Sequence, residues 1–148
     1  MKVIIIGCGR VGAGLAKNLS SQDISVSVID QDPRAFELLG PTFKGKTFVG
    51  IGFDQKILSD AGIQQTDALA ACTGSDEANL VAARMAKSFY RVPRVSARVY
   101  EPQKAKIYRR LGIQTISPVT LGIERLTSTL IYSNLNLERS VGAGQIGM

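Results

Sequence analysis

The sequence predicts an α/β fold with a doubly wound, mostly parallel sheet of six strands and helices on both faces. Six short apolar runs alternate with six segments of helical pattern, which is the order of repeated strand–helix units. The first run, residues 2–6, leads directly into a glycine-rich turn and then a helix. The 148 residues, of which 45% are hydrophobic, suffice for one sizeable core.

The glycine-rich turn has the pattern Gly-x-Gly-x-x-Gly, with Gly7, Gly9 and Gly12 at its fixed positions. The first glycine permits a tight turn, the second leaves room for a pyrophosphate, and the third lets the helix pack closely on the strand. Phosphates would lie at the helix N-terminus, where free N–H groups and the helix dipole favour negative charge. The pattern predicts a Rossmann fold that binds an adenine nucleotide. The alternative is that the glycines only form a tight turn.

An acid ends the second predicted strand, as a nucleotide site requires. Asp30 follows the apolar run 24–29, beside the first strand. Its carboxylate can accept hydrogen bonds from both hydroxyls of an adenosine ribose. A 2′-phosphate would meet a like charge there, so NADP is disfavoured. The alternative is a solvated acid at a strand end.

The remaining elements follow from apolar periodicity and from helix-capping residues. Asp32 and Pro33 open the second helix, Asp54 caps the third, and Gly62 follows its end. Strands are predicted at 2–6, 24–29, 46–49, 68–71, 94–99 and 114–116, and helices at 10–20, 33–39, 54–60, 77–90, 101–111 and 118–132. Right-handed crossovers and the position of the glycine turn favour the strand order 3-2-1-4-5-6. In the first helix, Val11, Leu15 and Leu19 are expected on the inner face.

The last predicted helix, a C-terminal crossover helix, carries an apolar stripe that the sheet does not require. Val119, Ile123, Leu126 and Leu130 share one face of it. This stripe packs either on a second copy of the chain or on the edge of its own sheet. Residues 141–148 are glycine-rich and are typical of a linker.

The composition excludes several classes of function. The chain contains no histidine and two cysteines, so the usual zinc sites, Ser-His or Cys-His catalysis and a disulfide framework are not expected. No apolar stretch approaches the roughly 20 residues of a membrane span, and no signal peptide is recognisable, so a cytoplasmic protein is predicted. The net charge of +6 is scattered without a nucleic-acid motif, so no nucleic-acid partner is expected.

Several sequence blocks together resemble the N-terminal lobe of the Trk/Ktr potassium-uptake regulators, the regulator-of-potassium-conductance (RCK or KTN) domain. The blocks are the glycine turn 7–12, residues 28–33, Cys72-Thr73-Gly74-Ser75-Asp76-Glu77-Ala78-Asn79-Leu80, residues 97–102 and residues 111–113. The block around Thr73 is more specific to the family than the glycine turn. The resemblance covers residues 1–137, and residues 138–148 are expected to lead toward a smaller C-terminal lobe.

This resemblance implies a cytoplasmic regulatory subunit that gates a potassium channel or transporter at the inner face of the plasma membrane. Such lobes form homodimers and larger rings, and bind NAD(H), ATP or ADP. By position, Gly7, Gly9, Arg10, Val11 and Gly12 would hold phosphates, Asp30 the ribose, and Arg98 a second phosphate. In ATP-responsive members an arginine at the position of Arg10 reaches a terminal phosphate. Thr73 and Gly74 would close over the nucleotide, and the site would also include Gln31 and Gly50.

One position departs from the family pattern. The family usually has an acid directly after the glycine that ends strand three, and this acid commonly lies near the adenine. Here that residue is Ile51, so adenine recognition by this acid is not implied. Asp54 would replace it only in a rearranged loop.

Two alternatives remain open at the level of sequence. The first is an NAD-dependent oxidoreductase domain that lacks its substrate domain. No catalytic residue is recognisable, however, so a non-enzymatic regulator is predicted.

The second alternative concerns Cys8 and Cys72, which are predicted to be buried thiols at one edge of the sheet. The alternative there is a redox switch.

Overall fold

The computed structural model describes residues 1–132, and the predicted linker 138–148 lies outside them. The strands are β1 (Lys2–Ile6), β2 (Ser25–Asp30), β3 (Lys46–Val49), β4 (Ala68–Ala71), β5 (Arg94–Arg98) and β6 (Gln114–Ile116). The helices are α1 (Arg10–Ser20), α2 (Gln55–Asp60), α3 (Asp76–Arg84), α4 (Pro102–Arg110) and α5 (Pro118–Ile131). Short 3₁₀ helices span Pro33–Leu39 and Ile63–Gln65.

The six strands form one parallel sheet in the order β3-β2-β1-β4-β5-β6, which confirms the predicted doubly wound fold. Parallel strands buried on both faces require continuous apolar runs. This requirement explains the run of isoleucines in β1, where residues 3–6 are all buried. The order reverses direction between β1 and β4, and a crevice opens there at the carboxyl ends of the strands.

Each face of the sheet packs against its own helices. On one face, strand residues pack with α1 and the 3₁₀ helix Pro33–Leu39; the buried set is Val3, Ile5, Cys8, Ala13, Ala16, Val26, Val28 and Leu39. On the other face, strand residues pack with α2, α3 and α4; the buried set includes Ile4, Ile6, Ile29, Leu58, Ile63, Leu69, Tyr108 and Ile113. The alternation of side chains along β1 and β2 thus supplies both cores.

The inner face of α1 differs from the prediction. Its buried residues are Gly12, Ala13 and Ala16, whereas Leu15 is only half-buried and Val11 is exposed. Small residues face the sheet because this helix lies too close to β1 for larger side chains. The apolar spacing indicated the helix correctly and was wrong about Val11, whereas Leu15 and Leu19 are half-buried and pack against the core as expected.

Three further elements differ in detail. The predicted second helix is a 3₁₀ helix, although Asp32 caps it and Gly40, with φ of +75°, ends it as expected. The predicted helix 77–90 is α3 followed by a π-helical segment, Met85–Phe89. Strand β5 ends at Arg98 rather than at residue 99.

Helix α5 follows as a unit of its own, because the chain divides after Ser117. It occupies the predicted range, and none of its residues is buried. The four residues of the predicted stripe are exposed by 36–82%. No helix among residues 1–132 is long and apolar enough to cross a membrane.

Candidate functional site

A cleft of about 500 Å³ lies at the carboxyl ends of the strands, where β1 separates β2 from β4. Ten of the eleven predicted site residues line it: Gly7, Gly9, Arg10, Val11, Asp30, Gln31, Gly50, Thr73, Gly74 and Arg98. The eleventh, Gly12, is buried beneath the turn. Four lining residues were not predicted, namely Ile6, Ile29, Gly52 and Cys72.

The three glycines of the turn have three different surroundings. Gly7 has φ of +100°, and a Cβ there would lie 2.7 Å from the backbone nitrogen of Thr73. A Cβ at Gly12 would lie 1.8 Å from the carbonyl oxygen of Gly7. A Cβ at Gly9 would meet nothing within 4 Å. The fold therefore explains Gly7 and Gly12, while Gly9 leaves space open at the start of α1.

The N-terminus of α1 has no capping side chain. Gly9 is the N-cap residue and contributes no side-chain hydrogen bond, and the first turn contains no acid. The first N–H groups of a helix lack partners within it, so an anion is the natural complement. Arg10 is exposed beside these groups and adds a positive charge to the cleft.

Asp30 braces the turn from β2. Its Oδ2 accepts a hydrogen bond of 2.7 Å from the backbone N–H of Cys8, and its Oδ1 accepts one of 2.9 Å from Asp32. A carboxylate has about four lone-pair positions, so both oxygens keep acceptor capacity. The carboxylate thus fixes the glycine turn and still lies at the wall of the cleft.

Asn79 joins the ends of β4 and β5 beneath the cleft. The residue is fully buried on α3, and its Oδ1 accepts bonds from the backbone N–H and the hydroxyl of Thr73. Its Nδ2 donates to the carbonyl oxygens of Thr73 and Arg98. All hydrogen-bonding positions of the amide are used, so it fixes two strand ends. Its role was not predicted, because the bond to Arg98 joins residues far apart in sequence.

Thr73 lines the cleft with its polar atoms already engaged. Besides donating to Asn79, its hydroxyl accepts a bond from the N–H of Ser75, and its oxygen lies 3.1 Å from the Ser75 carbonyl oxygen. Its carbonyl oxygen also accepts a 3.4 Å bond from Nη1 of Arg98. This residue therefore shapes the wall of the cleft, while neighbouring Gly74 is exposed.

Arg98 brings a second positive charge to the cleft from the end of β5. Its guanidinium lies 5.9 Å from the ring centroid of Tyr100. Within the described part of the chain, its Nε is buried without a hydrogen-bond partner and its side chain joins no ion pair. A guanidinium with unused donors at a cleft wall is suited to a phosphate or carboxylate.

Asp76 fixes the loop that follows β5. Its carboxylate accepts bonds of 2.7 and 3.1 Å from the backbone N–H groups of Tyr100 and Glu101. The buried hydroxyl of Tyr108 donates to the Asp76 carbonyl oxygen at 2.6 Å. Burial, followed by the nearby negative charge of Asp76, raises the pKa of Tyr108. The loop between β5 and α4 is therefore held by the side chain of Asp76, and α4 is tied to the start of α3 by Tyr108.

The two cysteines are free and buried. Burial raises the pKa of the Cys8 thiol, and of the Cys72 thiol, from the ordinary value of 9.0 to about 11. Thiols with such pKa values are almost wholly protonated near neutral pH, and the thiolate is the reactive form. The geometry thus supports two structural thiols.

The loop after β3 completes the cleft with glycines. A Cβ at Gly52 would lie 2.1 Å from Cγ2 of Ile6, so this glycine lets the loop pack on β1. Ile51 between the two glycines is 42% exposed. Asp54 does not replace the missing acid, because its carboxylate caps α2 through the N–H groups of Lys56 and Ile57. The Gly-x-Gly pattern at a strand end was a signal by which Gly52 could have been found.

The described residues contain no group of three or more acidic, cysteine or histidine side chains that is suited to a metal ion. The residues that line the cleft instead include two arginines, one carboxylate and several glycines. This set suits a ligand with anionic groups and hydroxyls.

The fold and the cleft define a Rossmann-type domain with the glycine turn of dinucleotide-binding proteins. A family model described as the TrkA-N domain matches residues 3–118. The chain belongs to the TrkA-N domain family. The Trk system potassium uptake protein TrkA of Streptomyces coelicolor is 44% identical to it over 133 residues, which are 90% of this chain and 60% of that protein. The TrkA protein of Haemophilus influenzae is 32% identical, and the aligned part is 30% of that protein. The chain thus spans less than two thirds of the length of these relatives.

Solved structures show the same fold. The TrkA-N domain of the inner membrane protein ybaL from Escherichia coli superposes with a TM-score of 0.77 at 18% identity, covering 88% of this chain and 96% of that one. The Kef C-terminal domain of Shewanella denitrificans, in an AMP-bound form, gives 0.72 at 28% identity and covers 95% and 88%. The GsuK channel bound to NAD gives 0.74 at 21% identity and covers 87% and 23%. A GsuK structure bound to ADP is also similar, with a TM-score of 0.74.

Proposed function

We propose that this chain is the nucleotide-binding part of a cytoplasmic regulatory subunit of a potassium channel or transporter, and that it is not an enzyme. The proposal depends mainly on one observation: the uncapped N-terminus of α1, Asp30 and two arginines line the same cleft in a chain of the TrkA-N domain family. The ligand is an adenine nucleotide: NAD(H), ATP or ADP. The AMP, NAD and ADP complexes of structurally similar proteins support this class of ligand.

The phosphates lie on the N-terminus of α1 in this proposal. The free N–H groups of the first turn donate to them, and Gly9 allows them to approach the backbone. Arg10 and Arg98 face the same cleft and supply charge for a second or third phosphate. Arg98 joins no ion pair within residues 1–132, which supports this assignment because its charge lacks an anionic partner there.

Asp30 binds the ribose through the acceptor capacity that its two backbone hydrogen bonds leave. Because it is negatively charged, it also disfavours a 2′-phosphate, so NADP(H) should bind weakly. Gln31 and Gly50 border the base, while Thr73 and Gly74 form the opposite wall. Since the polar atoms of Thr73 already make hydrogen bonds within the chain, this residue shapes the wall of the cleft and makes no hydrogen bond to the ligand.

The nucleotide acts on the transporter through the assembly of copies. In this proposal residues 1–137 form the nucleotide-binding domain, residues 138–148 lead toward a second lobe, and the apolar stripe of α5 joins two copies into a dimer and then a ring. Such a ring responds to a nucleotide only if its shapes differ in affinity for that nucleotide. The Trk potassium uptake relatives support a membrane-embedded transporter as partner.

The test is a thermal-shift titration of the chain with NAD, NADH, ATP, ADP and NADPH. A ligand at a hundredfold excess over its Kd adds about 2.7 kcal/mol to the free energy of unfolding. We expect a clear rise in Tm with at least one of the first four nucleotides and none with NADPH. The absence of any rise, or consumption of NADH with a small carbonyl compound, would contradict the proposal.

Two glycine variants make the test specific to the cleft. Gly9→Ala should leave the Tm of the free protein unchanged, because its Cβ meets nothing and its φ of −84° suits alanine. It should nevertheless abolish most of the nucleotide-induced shift, since the Cβ occupies the phosphate position. Gly14→Ala on the same helix is the matched control and should keep the full shift.

A further inference from the structure

The positive charge of the chain is concentrated at the amino ends of the strands, opposite the cleft. Six exposed basic residues lie at the first residue of β1, β3 or β5 or in the segments just before β2, β3 and β5. We name this surface the basic edge: Lys2, Lys17, Lys44, Lys46, Arg91 and Arg94. Four acids also lie in the connections that enter the strands: Asp23 before β2, Glu37 before β3, and Asp60 and Asp67 before β4. One of them, Asp67, accepts a hydrogen bond from the backbone N–H of Lys2.

The opposite end of the sheet carries acids and cations in nearly equal number. The acids near the ends of the strands are Asp30, Asp32, Asp54, Asp76, Glu77 and Glu101, and the cations are Arg10, Arg34, Lys56, Arg98 and Lys104. The net charge of +6 is therefore not spread evenly. It is a dipolar arrangement with its positive end away from the cleft.

The stability of the fold does not explain the basic edge. Lys17 lies in the last turn of α1 and offsets the helix dipole. All six strands are parallel, so any dipole of theirs has its positive end at the strand starts, and Lys44, Lys46 and Arg94 there do not offset it. None of the six cations takes part in an ion pair within residues 1–132.

The cations form a row rather than a cluster. From β3 to β5 the sheet has four strand spacings, so the row spans about 19 Å. A cleft of about 340 Å³ lies along it, with Lys17, Lys44 and the acid Asp23 in its lining. A compact anion would need converging side chains, whereas single charges in a row match many separate anions in one plane. The charged surface of a phospholipid bilayer has this character.

We propose that the basic edge rests on anionic phospholipid headgroups, which leaves the nucleotide cleft open to solvent. This proposal rests on the proposed function for the presence of a nearby membrane. It adds an orientation: the amino ends of the strands face the bilayer, and the cleft faces away. Because the two surfaces lie at opposite ends of the sheet, lipid and nucleotide can be bound together.

The test is flotation of the chain with vesicles at about 0.1 M salt, where the Debye length is about 10 Å. Vesicles of phosphatidylcholine alone are compared with vesicles in which half of the lipid is phosphatidylglycerol. We expect binding to the second kind only. Each basic residue near such a surface contributes roughly fivefold to partitioning, so removing four should weaken it by at least about a hundredfold.

Two variants of equal net charge separate this surface from charge in general. In the first, four cations of the basic edge become glutamine: Lys44, Lys46, Arg91 and Arg94. In the second, four cations elsewhere are replaced in the same way: Arg34, Lys56, Lys104 and Lys106. We expect the first variant to lose binding and the second to stay within about fivefold of the original chain.

Three outcomes would overturn the proposal: no binding to anionic vesicles, equal loss in both variants, or tighter binding to polyglutamate or duplex DNA than to the vesicles. The nucleotide-induced Tm shift is measured on the same variants and should be unchanged. A chain that binds vesicles but no nucleotide would refute the proposed ligand and leave the basic edge intact. A chain that binds nucleotide but no anionic vesicles would refute only the proposal that the basic edge binds lipid.

Discussion

Replacement of Gly12 by alanine tests how α1 is held against β1. The added Cβ would lie 1.8 Å from the carbonyl oxygen of Gly7 and 2.9 Å from its carbonyl carbon. Ordinary contacts begin near 3.4 Å, so the helix or the turn must move by roughly 1.5 Å. The obstacle is backbone, so no side chain can rotate to relieve it.

The cost follows from the general behaviour of overpacked sites. Forced backbone shifts cost about 1–3 kcal/mol and occasionally more, while alanine recovers somewhat under 1 kcal/mol of helix propensity. We expect a net loss of about 3 kcal/mol, because the overlap is severe. For a chain of 148 residues, this loss corresponds to a fall in Tm of about 10 °C.

Gly14→Ala is the matched control, since a Cβ at this position of the same helix meets nothing within 4 Å. It gains helix propensity without overlap, so Tm should rise by a few degrees. Differential scanning calorimetry, with urea unfolding as a second measure, checks both variants. A Gly12→Ala protein as stable as the original would show that α1 does not lie against the turn as described.

The remaining predictions concern three other groups. Asp30→Asn should lower the free energy of unfolding in urea by about 1–2 kcal/mol, because an amide cannot accept both backbone hydrogen bonds. The same variant should weaken nucleotide binding at least tenfold. The control Glu37→Gln, at an exposed position, should change neither quantity. Asn79→Ala should cost roughly 3 kcal/mol or more, since it leaves buried polar groups of β4 and β5 unpaired, and an unchanged urea midpoint would contradict this account. The thiols of Cys8 and Cys72, with pKa values raised to about 11, stabilise the fold fully below pH 9 and lose this contribution as the pH rises from 9 to 11. The double alanine variant should therefore show a shallower fall of stability over that range, and equal falls would contradict the raised pKa values.

The sheet was predictable because its information is local. Each strand is a short apolar run, and each connection carries its own signals, such as Asp32 at a cap or Gly62 at a helix end. Parallel pairing and right-handed crossovers then leave few arrangements, and the glycine turn selects one of them. The strand order is accordingly as predicted.

The interior of α1 was not predictable from apolar spacing. Periodicity assumes that the largest apolar residues mark the buried face, but a helix that touches a strand closely buries its smallest residues. Ala13 and Ala16 are in the core, and Val11 is 41% exposed at the cleft. The glycine at position 12 carried this information, because its predicted role was close packing.

The cleft has two parts, which differ in how far the sequence predicts their geometry. One part is contiguous in sequence, from the glycine turn to Asp32, and its geometry follows from a known pattern. The other part depends on contacts between distant residues, such as the bond from Asn79 to Arg98. Sequence alone placed these residues near the cleft without showing which would bind a ligand and which would hold the wall.

This division bears on how a nucleotide would act in the proposed function. The α1 part and the Arg98 part belong to strands on opposite sides of the point where the sheet order reverses. A mononucleotide can satisfy the first part alone through one phosphate and its ribose. In that proposal, a ligand with further phosphates would extend toward Arg98, whose guanidinium lines the cleft and joins no ion pair among residues 1–132. Ligands of different length would therefore differ in how firmly they connect the two halves of the sheet, and only such a difference between ligands can become a difference in ring shape.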